Sequence, residues 1–143
     1  MKKSRLTTQY PTDFELIGIV SSAKEYQLAW HLNQLNEFHL VKDEDVKIDF
    51  AENRQIRVSV LMEETEFRKV YLLKNKLVAT NIQTNQFLVQ ELQQFDFLLK
   101  LSSQTDENWA NELLLKVKTI PVIDYCLTID VSKIKMKDNL VFW

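Results

Sequence analysis

Two carboxylates, Glu91 and Asp96, interrupt the apolar run LVQELQQFDFLLKL (88–101), and paired carboxyl groups can serve general acid–base chemistry. Such a pair must converge on one substrate. A spacing of five sends two side chains of an extended strand to opposite faces, so convergence would need a turn at Leu92, Gln93 and Gln94. The expectation is therefore architectural. Glu91 accepts backbone or lysine hydrogen bonds at a turn, and Asp96 stands at the entrance of a strand beginning near Phe95. In that reading Phe95, Phe97, Leu99 and Leu101 share the buried face, while Asp96 lies on the other beside Leu98 and Lys100. Tyr125 is the third residue that would line a small-molecule site together with these carboxylates.

The remaining reactive residue types do not assemble into a motif. His31 and His39 are the only histidines, and their spacing of eight is too wide for the i, i+4 pair of a helical zinc site. Cys126 sits in an apolar run and reads as a core thiol. Asp43, Glu44 and Asp45 resemble half of a calcium loop, but Lys47 and the lack of a following glycine break the pattern. Lys2, Lys3 and Arg5 near one end and Lys133, Lys135 and Lys137 near the other are solvated charges without interleaved aromatics to stack bases. No catalytic residue, metal ligand or cofactor is assigned.

Composition narrows the classes further. A chain of 143 residues with 45% apolar content supports one core and one domain, with 1–12 as an N-terminal arm and 132–143 as a C-terminal extension. Its net charge of −2 creates no general field for nucleic acid or an anionic membrane. One glycine, Gly18, is too few for a phosphate-cradling loop. No apolar run approaches the roughly 20 residues of a membrane-spanning helix, and one cysteine allows no internal disulfide, so the expected location is cytoplasmic.

The elements that must position these residues follow from periodicity. FELIGIV (14–20) reads as a strand, and Ser22 to Glu25 as a capping box opening a helix that runs to about Phe38. Leu28, Leu32 and Leu35 form its core stripe. Strands are expected at 46–51, 55–62 and 68–79, a polar loop at 80–86, and a strand from Phe95 to Leu101. A helix capped by Thr105, Asp106 and Glu107 carries Trp109, Ala110, Leu113, Val117 and Ile120 on one face and stops at Pro121; 122–131 returns as a strand. The order β-α-β-β-β-β-α-β predicts an α+β single-domain two-layer sandwich. It has one mostly antiparallel sheet of about six strands with two main helices on one face, ferredoxin-like or related, with an inserted hairpin.

The stretches DFELIGIVSSAKEYQLAWHLN, VQELQQFDF and KDNLVF together resemble the IPExxxVDY family of small, uncharacterised bacterial proteins, over nearly the whole chain. Val89, Gln90 and Glu91 stand where the family name has Ile-Pro-Glu, and Phe95, Asp96 and Phe97 where it has Val-Asp-Tyr. Only the two carboxylates match. The resemblance implies no reaction.

Two functional classes remain. One is a non-enzymatic interaction or regulatory module acting through a protein partner or self-association. Its candidate surface is Tyr26 and Trp30, which lie four residues apart and project away from the core stripe of the first helix. The alternative is a small-molecule-binding domain or enzyme with a site near Glu91 and Asp96.

Overall fold

The runs ELIGIV and FLLKLSS carry apolar residues at consecutive positions, as strands buried on both faces do, and they form two interior strands of the main sheet. The structure, a computed structural model, describes residues 14–50, 54–77, 86–103, 109–135 and 140. The expected N-terminal arm, the cap residues Thr105, Asp106 and Glu107, and the basic residues Lys2, Lys3, Arg5 and Lys137 lie outside the described residues.

The elements are β1 (Glu15–Val20), α1 (Glu25–Asn33), β2 (Val41–Lys42), β3 (Val46–Phe50), β4 (Arg54–Val58), β5 (Val60–Glu64), β6 (Arg68–Lys74), β7 (Lys76–Leu77), β8 (Gln86–Phe87), β9 (Phe97–Ser103), α2 (Trp109–Val117) and β10 (Tyr125–Ile129). Short 3-10 turns occur at Gln90–Leu92 and Val131–Lys133. Six strands form one sheet in the order β10-β1-β9-β6-β5-β2, with every neighbouring pair antiparallel. Since β9 and β10 both run antiparallel to β1 and flank it, they are parallel to each other. Helix α2 thus connects strands that straddle β1, a split β-α-β unit. The sequence β10-β1-β9-β6 is the strand order of a ferredoxin-like sheet, extended at one edge by β5 and β2.

Both helices pack on one face. Leu28, Ala29 and Leu32 of α1 and Trp109, Ala110, Leu113 and Val117 of α2 share a core with Ile17, Ile19, Leu72, Leu99 and Cys126. The opposite face is also buried. Leu16, Tyr71, Leu73 and Leu98 there are covered by Leu88, Val89, Leu92 and Phe95, and by Val131, Ile134 and Leu140 from the C-terminal region. No helix among the described residues is long and apolar enough to cross a membrane.

Several boundaries depart from the periodicity reading, each for a local reason. The expected strand 55–62 is divided at Ser59: β4 pairs with β3 in a separate ladder and β5 joins the main sheet. Ser59 Oγ there donates to Glu25 Oε1 at 2.6 Å. The strand expected at 46–51 is β3 of that separate ladder and not part of the main sheet. Helix α1 starts at Glu25, where Gln27 Oε1 accepts from Lys24 N–H at 3.0 Å, so Glu25 is not the capping-box partner of Ser22. It ends at Asn33 instead of Phe38. The Asn33 side chain donates to Leu40 O at 3.1 Å and accepts from Leu40 N–H at 2.7 Å, and Asn36 takes a left-handed conformation with φ 60°. His39 therefore lies beyond the helix.

Candidate functional site

The segment carrying the two carboxylates is built around Asn75, a fully buried polar residue at the break between β6 and β7. Its Nδ2 donates to Leu92 O at 2.8 Å and Phe95 O at 3.0 Å, and its Oδ1 accepts from Val89 N–H at 2.9 Å. Its backbone carbonyl accepts from Leu88 N–H at 2.7 Å, and its N–H donates to Asp96 O at 2.9 Å. One side chain thereby satisfies the polar backbone of a compact, non-extended segment. Sequence reasoning missed it; the available signal was a lone asparagine inside the apolar stretch VYLLKNKLVA.

That turn changes the side-chain parity. Strand β9 begins at Phe97, so Phe95 does not share the face of Phe97, Leu99 and Leu101, as alternation from Phe95 predicts. It packs on the face opposite the helices, over Gly18. Asp96 accepts from Ser21 N–H through Oδ2 at 2.9 Å. Glu91 lies exposed in the 3-10 turn and accepts from Lys135 N–H through Oε2 at 3.1 Å. The two carboxylates are thus directed at backbone amides of different segments, near opposite ends of the chain. Tyr125 opens the edge strand β10, 57% exposed, on the face of Leu127 and Ile129.

A groove does form beside Tyr26 and Trp30. Both project from the outer side of α1, 67% and 60% exposed, while Leu28 and Leu32 on the inner side are fully buried. One wall is Tyr26, Gln27, Trp30 and His31; the other is Pro121, Val122 and Asp124 from the connection between α2 and β10. Ser22 and Ala23 close the end where β1 passes into α1, and the open groove has a volume of about 600 Å³. The His31 and Trp30 rings form a T-shaped pair, with centroids 5.0 Å apart and planes at 90°.

The floor is tied together by Ser21, which is buried. Its Oγ donates to Val122 O at 2.5 Å and accepts from Ala23 N–H at 3.1 Å, while its N–H is held by Asp96. Asp124 N–H donates to Val20 O at 2.9 Å. Asp96 therefore acts on the groove indirectly, by anchoring the residue that joins its two walls.

Lys100 and Tyr71, also buried, have structural partners, whereas Glu25 Oε2 and Trp109 Nε1 are buried without a hydrogen bond among the described residues. Lys100 Nζ donates to Leu140 O at 2.7 Å and lies 4.7 Å from the Phe14 ring centroid and 5.6 Å from that of Tyr71. Tyr71 donates to Glu64 Oε1 at 2.5 Å, and burial followed by the Glu64 carboxylate holds its hydroxyl well above the usual tyrosine range. Burial also pushes the Cys126 thiol up, opposed by Lys118, which favours the unreactive protonated form. Among the described residues no group of three or more His, Cys, Asp or Glu side chains is placed to hold a metal ion. No protein-family model matches the chain, and a search of curated proteins found no match.

Proposed function

We propose that the protein is a non-enzymatic interaction module that binds a protein partner through the groove between α1 and the α2–β10 connection. The observation that carries this reading is the placement of two large aromatics, Tyr26 and Trp30, on the solvent side of a helix whose other side is completely buried. They are not needed by the core, and they face a second wall of apolar and acidic character. Exposed Tyr and Trp in a concave setting are the residue types that dominate binding energy at protein interfaces. Glu91 and Asp96 give less support to an acid–base site, since each carboxylate accepts from a different backbone amide. A reducing cytoplasm suits the buried, unpaired Cys126, and membership of the IPExxxVDY family remains part of the same proposal.

The test compares wild type with Tyr26→Ser, Trp30→Ser, a double variant whose changes lie outside the core. A partner recovered from native cells, identified and purified, should bind wild type in calorimetry and lose at least tenfold in affinity to the variant, with circular dichroism unchanged. Equal binding by both proteins would remove this groove from the interface. Light scattering of the two proteins separates self-association: a larger mass for wild type alone would make a second copy the occupant.

A further inference from the structure

We propose that the groove is selective for a cationic side chain of its partner, with an arginine guanidinium lying against Tyr26 and Trp30 and paired to Asp124. This rests on the interaction-module reading and names what that site takes. Four observations point to a cation. Tyr26 and Trp30 are four apart on α1, which puts their Cβ atoms roughly 6 Å from each other, so both rings can flank one inserted group. Among the described residues lining the groove, Asp124 contributes a carboxylate and there is no lysine or arginine. Two of the amides just ahead of α1, which could have drawn an anion, are occupied: Ala23 N–H by Ser21 Oγ at 3.1 Å, and Lys24 N–H by Gln27 Oε1 at 3.0 Å. Finally, the Trp30 and His31 rings meet in one T-shaped contact, which leaves at least one indole face for stacking.

Arginine fits this combination better than lysine. Its planar guanidinium stacks on aromatic faces and presents a fork of N–H donors to a carboxylate, and its weaker hydration makes partial burial less costly. A neutral apolar segment would use the rings but leave Asp124 facing a desolvated contact without compensation. The same chemistry already occurs within this protein, where the Arg68 guanidinium lies 4.4 Å from the Trp109 ring centroid.

The experiment uses the full chain and two capped peptides, one with a central arginine flanked by serine and glycine, the other identical except for citrulline, the neutral isostere. Binding is followed by the Trp30 indole N–H resonance, assigned by its loss in Trp30→Phe. The arginine peptide should shift this resonance in a saturable manner. The citrulline peptide should bind at least about fivefold more weakly, and Asp124→Asn should reduce the arginine response by a similar factor. Equal binding of both peptides, or an unchanged response in Asp124→Asn, overturns the cation proposal while leaving an interaction groove that reads apolar surface. No shift with the arginine peptide overturns it as well; the interaction-module reading is then decided separately by the partner calorimetry with the Tyr26→Ser, Trp30→Ser variant.

Discussion

The Phe95 ring lies so close to the Gly18 backbone that a Cβ placed there would meet three ring carbons at 2.6 to 2.7 Å. Gly18 has no positive φ, so the requirement is for space and not for an unusual backbone conformation. Gly18→Ala should therefore destabilise the fold by about 1–3 kcal/mol through overpacking. In a Phe95→Leu background, where the smaller side chain can yield, the same substitution should cost less. Denaturant titration of the four proteins in a double-mutant cycle measures the difference, and strict additivity would contradict a Gly18–Phe95 contact as the cause.

Asn75→Ala should be among the most damaging single changes. It leaves Leu92 O, Phe95 O and Val89 N–H without their side-chain partner inside a buried segment. Each orphaned group costs about 1–3 kcal/mol unless water reaches it, so a total loss of at least about 3 kcal/mol is expected in thermal or denaturant unfolding. Asn75→Asp should also fail to restore stability, because it retains the acceptor but removes both donors.

Asp96 and Glu91 should separate in their effects. Ser21, the donor to Asp96, is buried, so Asp96→Ala should cost about 1–3 kcal/mol, while Asp96→Asn keeps an oxygen acceptor and should cost less. Glu91 is exposed, so Glu91→Ala, which removes its contact to Lys135 N–H, should cost less than Asp96→Ala. Unfolding of the three variants checks the order; a larger loss for Glu91→Ala would reverse this assignment.

Stability should fall on the alkaline side. Cys126 and Tyr71 both have folded pKa values raised above their ordinary values of 9.0 and 10.0. Above those ordinary values the unfolded chain releases protons that the folded protein retains, so the free energy of unfolding falls as pH rises. The contribution is intact below about pH 9, declines first through Cys126, and declines further above about pH 10 through Tyr71. Denaturant midpoints of wild type, Cys126→Ala and Tyr71→Phe between pH 7 and pH 11, intervals chosen to bracket both groups at about their reference values, check this. Tyr71→Phe should flatten the upper part of the decline, after allowance for its lost bond to Glu64.

The local chain chemistry determined the element types. Consecutive apolar residues in ELIGIV and FLLKLSS specify strands, and the Leu28–Leu32 and Leu113–Val117 spacings specify helices with one buried side. These periods are properties of neighbouring residues, so they are readable without the fold, and so is the outward projection of Tyr26 and Trp30 from α1. Tertiary structure decided what periodicity cannot encode. Asn75 draws 88–96 into a turn by hydrogen bonds across 14 to 20 positions, which moves Phe95 to the other face and onto Gly18. Ser21 joins Val122, 101 positions away, and so creates the groove beside those aromatics. A side chain's face follows from its own strand, but a cavity depends on which distant segment the folded chain brings opposite it.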